Sequence, residues 1–182
     1  MIKKILHLVL AVLVVFLVWV SPVLAKTIDQ GSYATSSASL SAFELFWPIS
    51  PGKTLDESMY FLKDLKEKIR GALIFGTPQK AEYAVLLATK RVLEAEKLIE
   101  RGKNDLANQT LDLAQAQFEM AKKNLEIAKN KKEPLKESGG VIYTRLQNLE
   151  KYLTYLMTKQ ESNKDKLQAV LTQVQDLLAK VK

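Results

Sequence analysis

The chain has 182 residues, 47% hydrophobic and 26% charged, with a formal net charge of +7 and no cysteine. That length and balance fit one folded domain with an extension rather than a disordered chain. Without cysteine there can be no disulfide, thiolate nucleophile, thiolate metal site or lipid-modified cysteine, and about 150 residues bury enough core to fold without disulfides.

The N-terminus differs from the rest. Lys3 and Lys4 precede an apolar run over residues 5–20, interrupted by His7, and Pro22-Val23-Leu24-Ala25 closes it. A positive start, an apolar middle and a small residue at the end are the order of a secretory signal over residues 1–25, with cleavage after Ala25. The alternative is an uncleaved anchor, for which residues 5–20 fall short of the roughly 20 apolar residues of a spanning helix. Either way the remainder is expected outside the cytoplasm: periplasmic, secreted, or anchored and facing outward. Export separates the domain from most nucleic acid, and its basic residues alternate with acidic ones, so no nucleic-acid partner is expected. The mild positive charge leaves weak contact with an anionic membrane or envelope polymer open.

Residues 26–42, rich in Ser and Thr, read as a linker. A helical domain is expected over 43–182, entered by an aromatic and proline-rich lead-in over 43–55. In "FELFWPISPGKT" the prolines Pro48 and Pro51 predict an extended strap instead of a helix, with Phe43, Phe46 and Trp47 packed on the bundle. Gly52-Lys53-Thr54 has the tail of a phosphate-binding loop, but Trp47 stands where the leading glycine belongs and no buried strand precedes it.

From Asp56 onward the punctuation is helical. A first helix is predicted over 56–75, with Asp56 as its cap and Gly76 closing it. On a helical wheel Phe61, Leu62, Leu65, Ile69, Ala72 and Leu73 form one apolar arc of roughly 120°, expected to lean on the rest of the domain. Lys63, Lys66, Lys68 and Arg70 alternate with Asp64 and Glu67 and read as a solvated face with ordinary four-residue pairs, Lys63 to Glu67 and Asp64 to Lys68. Uniformly basic polar faces mark membrane-surface helices, and this mixed one argues against that role.

Thr77-Pro78 opens a second helix over 78–101, with Gly102 as a left-handed cap. Asn104 is expected to cap a third, ending near residue 132 before Pro134. Ala81, Ala88 and Ala95 in the second, and Ala107, Ala114, Ala121 and Ala128 in the third, recur every seventh residue. Val85, Val92 and Ile99, and Leu111, Phe118 and Leu125, are interleaved with them. Small residues at one heptad position let two helices approach closely, and the short link makes them antiparallel. A fourth helix is predicted over 141–160 after Gly139-Gly140, carrying Leu146, Leu149, Leu153 and Leu156 with Tyr143, Tyr152 and Tyr155. A fifth, over 164–181, carries Leu167, Val170, Leu171, Val174, Leu177, Leu178 and Val181. The expected fold is all-α: four to five helices around a long antiparallel alanine-rich hairpin. A tetratricopeptide array is set aside because the helices exceed a repeat of about 34 residues and no second copy is evident.

Catalytic chemistry is not signalled. His7 is the only histidine and lies in the N-terminal segment, which leaves the domain without the usual acid-base residue and metal ligand. Glu96 and Glu100 share a helix face as solvated acids do, and the serines concentrate in the linker without a base. Lys129, Lys131, Lys132 and Lys136 cluster at a predicted helix end, where cations favour the helix dipole. No catalytic, cofactor-binding or metal-binding residues are therefore assigned.

"LFWPISPGKT", "YFLKDLKEKIRGALIFG" and "KAEYAVLLATKRVLEAEKLIERGK" together resemble an uncharacterised bacterial family of exported helical domains, a domain of unknown function. The likeness spans about residues 45–130. It implies a signal or anchor, a linker, a tyrosine-leucine-lysine entry to the first helix and an alanine-rich hairpin. The family has no established activity, so the resemblance carries over no site residues. "LTQVQ", residues 171–175, is similar to the Leu-Thr-x-x-Gln pattern of periplasmic stress chaperones. The expected role is a non-enzymatic extracytoplasmic module for protein interaction or envelope structure, partnered by an unidentified envelope protein or by itself. A periplasmic holdase is the alternative.

Overall fold

The computed structural model describes residues 41–181; the expected signal or anchor and most of the expected linker lie outside them. Among the described residues there are six helices and no strand: α1 (Ala42–Phe46), α2 (Tyr60–Ala72), α3 (Thr77–Glu100), α4 (Asn104–Asn130), α5 (Lys136–Lys159) and α6 (Lys164–Val181).

The alanine hairpin is the centre. Ala81, Ala88, Ala95, Ala107, Ala114, Ala121 and Ala128 are all buried between α3 and α4, as are Val85, Val92, Leu111 and Phe118. Gly102 makes the reversal at φ +71, with its N–H donating to the Ile99 carbonyl at 2.8 Å and the Lys103 N–H to that of Leu98 at 2.8 Å. Open space surrounds the position where a Cβ would stand, so Gly102→Ala should cost only the left-handed backbone penalty, about 1 kcal/mol, read by chemical denaturation.

The second hairpin, α5–α6, stacks on the first. Asp112 binds Lys166, Glu119 accepts from Gln173, and Glu126 binds Lys180. The three pairs step by seven residues in both helices, so α4 and α6 run parallel in one heptad register. Ser138 donates to Glu82 at 2.8 Å, and Tyr152 lies beside Glu96, which sets α5 parallel to α3 in the same way. Ile142, Leu146, Leu149, Tyr152, Leu153, Leu167, Val170, Val174 and Leu177 fill the space between. The second hairpin thus occupies the place of a second repeat without sharing the alanine pattern.

Several expected boundaries shift. Ala42, assigned to the linker, opens α1, and the lead-in is helical through Phe46. Proline restricts its own position and the residue before it, and Pro48 falls in the turn that follows Phe46. Phe46 alone of the three aromatics is buried, edge-on to Tyr152 with centroids 5.4 Å apart, while Phe43 and Trp47 are exposed. The first long helix begins at Tyr60, not after Asp56, because Thr54, Asp56 and Glu57 are turned onto Arg101 and Lys103. Asn104 makes no side-chain cap on α4. Gly139 and Gly140 sit inside α5, which starts at Lys136. Residues 160–163 separate α5 from α6, with Asn163 tied to Asn108 at 2.8 Å.

Candidate interaction surface

The largest departure from expectation is α2. Its apolar arc does not lean on the hairpin: Phe61, Leu62, Leu65, Ile69 and Leu73 are all exposed, at 65%, 44%, 52%, 53% and 66%. Glu67 is the buried residue of this helix. The helix has turned its charged face inward because α3 presents charges to it.

On α3, Arg91 and Glu94 occupy a stripe whose other members, Ala84, Leu87 and Leu98, are buried and apolar. Arg91 donates to Glu94 at 2.9 Å along its own helix and to Glu67 of α2 at 2.5 Å. Lys90 donates to the second Glu67 oxygen at 2.7 Å. Lys63 reaches Glu94 and also donates to the Lys53 carbonyl at 2.9 Å. The Tyr60 ring lies 4.8 Å from the Lys63 ammonium and 5.7 Å from the Arg91 guanidinium. Tyr83 donates its hydroxyl to the Glu67 carbonyl at 3.0 Å. Its ring also comes within 3.3 Å of where a Cβ on Gly71 would stand, which accounts for a glycine inside this helix. Of the two expected surface pairs, Asp64 to Lys68 forms at 2.8 Å, whereas Lys63 and Glu67 are drawn into the buried network.

Docking through long charged side chains holds α2 off the hairpin. A cleft of about 580 Å³ opens on one side, lined by Glu67, Gly71, Tyr83, Leu87, Arg91 and Met120 among others. A second of about 470 Å³, between Leu62, Lys66, Arg70, Leu86 and Lys90, opens on the other.

The electrostatics follow from this geometry. Burial would raise the Glu67 carboxyl, but the Lys90 hydrogen bond and the Arg91 charge outweigh it and hold the group below its ordinary range. Burial pushes Glu94 up against the pull of Arg91 and Lys63. Asp56 is held well down, first by Lys103 and then by Thr54, and Glu57 down by Thr54, then Arg101. Groups depressed in the native state contribute stability above their ordinary carboxylate pKa, and lose it as pH falls through the depressed native value. Glu94 has the opposite sign and contributes most in acid. Three depressed groups against one raised one predict that α2 and its lead-in lose amide protection below about pH 4 while the alanine hairpin keeps its own. Hydrogen exchange as a function of pH reads this directly.

The other residues singled out in the sequence do not assemble into a site. Glu96 is beside Tyr152, and Glu100 is exposed at the end of α3. Lys129, Lys131, Lys132 and Lys136 stay on the surface around the α4–α5 turn. In residues 171–175, Leu171 and Val174 are buried in the bundle, and Gln173 and Gln175 donate to Glu119 and Glu150. No described helix is long and apolar enough to cross a membrane. Among the described residues the longest run of exposed apolar side chains is the outward row of α2, extended by Met59 before the helix and Phe75 after it.

This architecture defines an all-α domain of two stacked hairpins with an outlying helix. The sequence profile of a domain of unknown function (DUF5667) matches residues 52–180, and the chain belongs to that family. Comparison with curated proteins and with solved structures returns no match.

Proposed function

We propose that the domain is a non-enzymatic interaction module acting outside the cytoplasm, and that its binding surface is the outward face of α2. One observation supports this reading above the others. An amphipathic helix that could have covered its apolar side on the hairpin is fastened by its charged side instead, so the apolar row is left for something else. Monomeric proteins rarely keep so contiguous a row uncovered without use for it.

The test is a photo-crosslinking residue at Leu65 in the intact chain, in cells, with the same residue at Thr172 on α6 as reference. Discrete adducts from Leu65, to protein or to lipid, that are missing from Thr172 support the reading; matching patterns, or no adduct of either kind from Leu65, overturn it. Leu65→Glu should remove those adducts while changing stability by no more than about 0.5 kcal/mol, since the side chain is on the surface.

The same exposed row would also suit a holdase that covers apolar segments of unfolded clients. Suppression of client aggregation at near-stoichiometric ratios, followed by light scattering and lost in Leu65→Glu, is the result that reading requires.

A further inference from the structure

We propose that the outward face of α2 is a membrane-contact surface, with its apolar row seated among anionic lipid headgroups. The proposal rests on the interaction reading above and names what covers the row.

The argument is one of charge placement. At about 100° per residue, Phe61, Ala72, Leu65, Ile69, Leu62 and Leu73 span the outward arc. Lys66 borders it on one side and Lys68 on the other, with Arg70 next beyond Lys66; all three are exposed. Of the two acids of the helix, one stays outside with these three cations. Glu67 is turned inward onto Lys90 and Arg91, and Asp64 is held by Lys68. Docking draws one acid, Glu67, and one cation, Lys63, into the domain and leaves three cations outside against one acid, Asp64. An apolar strip bordered on both sides by cations with long aliphatic stems is the pattern of a helix lying in a lipid interface, where the stems follow the apolar surface and the ammonium groups meet phosphates.

Shape agrees with charge. The row runs about 20 Å along the helix and continues into Met59 and Phe75, the latter 85% exposed. It stands outward on a helix held off the hairpin, so a planar surface could reach its whole length. A second copy fits less well. Two such faces laid together would bring the Lys66 and Lys68 borders against each other, with Asp64 as the one outer acid of each helix.

The chain has no cysteine, so Ile69→Cys carries a polarity-sensitive fluorophore at a single site in the full-length protein, and Thr172→Cys serves as the distal reference. With phosphatidylglycerol–phosphatidylcholine vesicles the probe at 69 should shift to the blue and the probe at 172 should not. Pure phosphatidylcholine should give a weaker response, as should high salt. Lys66→Glu/Lys68→Glu should weaken the apparent partition at least tenfold. Because the N-terminal segment is the same in every variant, its own affinity for lipid cannot produce that difference.

No shift at 69, equal shifts at both sites, or a shift that survives the charge reversal overturns the proposal. So does a probe already blue-shifted without vesicles. Dependence on protein concentration would then assign the face to a second copy, and independence would assign it to another segment of the chain. Protein adducts from Leu65 without a vesicle response would leave the interaction reading standing and assign the face to a protein.

Discussion

Arg91→Ala should release α2 from the hairpin at a cost of about 3 kcal/mol, the lower end of what breaking a buried ion pair costs. Arg91 is 4% exposed and is the one cation that binds both buried acids, Glu67 and Glu94. Its removal leaves each carboxylate with a single lysine, Lys90 for Glu67 and Lys63 for Glu94, which keeps the loss from being larger. Undocking lets the acids rehydrate, so the effect should concentrate in α2 and the lead-in. Amides of Tyr60–Ala72 should exchange about a hundredfold faster, and those facing the alanine seam should change little. Lys68→Ala breaks the exposed pair with Asp64 and should cost no more than about 0.5 kcal/mol. Replacing Glu67, Arg91 and Glu94 together by apolar residues of similar volume should restore much of the docking, since a desolvated ion network is seldom worth more than a well-packed apolar one. Unchanged exchange in Arg91→Ala would mean that the network does not hold α2.

The second large effect belongs to the seam. Ala114→Leu and Ala121→Leu each insert a branched side chain into the seam between α3 and α4, at positions that are fully buried. Overpacking of this kind costs about 1–3 kcal/mol per site. For a domain of this size the pair should lower the thermal midpoint by roughly 10 °C. Ala179→Leu on the exposed side of α6 adds the same atoms without crowding and should leave the midpoint nearly unchanged. Equal melting of all three variants would refute close packing at the seam.

These two predictions differ in how visible their causes are in the sequence. The seam was legible: alanine every seventh residue in two neighbouring segments, with large residues interleaved, is the pattern that close approach of two helices demands. The leucine stripes of α5 and α6 were legible for the same reason. For α2 the wheel correctly separated an apolar side from a charged side, but it carries no information about which side meets the domain. That depends on what α3 offers, and α3 offers Arg91 and Glu94. The signal existed in the stripe Ala84, Leu87, Arg91, Glu94 and Leu98, where two opposite charges interrupt an apolar series at helical spacing. Opposite charges three residues apart look like an ordinary surface pair, and their burial appears only when a helix with complementary charges is laid over them. Asp56 was lost as a cap for a similar reason: Arg101 and Lys103, distant in sequence, compete for it. The lead-in is helical through Phe46, where the prolines suggest a strap, because proline constrains its own position and the residue before it and leaves the residues further upstream free to form a turn of helix.

The central claim is that α2 docks by its charges and shows its apolar row to solvent. The reactivity of single cysteines at Leu62, Leu65 and Ile69 in dilute full-length protein tests it most directly, against Val85→Cys as a buried standard. The account predicts labelling within about tenfold of an unstructured thiol at all three positions on α2 and protection at 85 by orders of magnitude. Protection at Leu62, Leu65 and Ile69 comparable to that at 85 would place the row against the hairpin and contradict it.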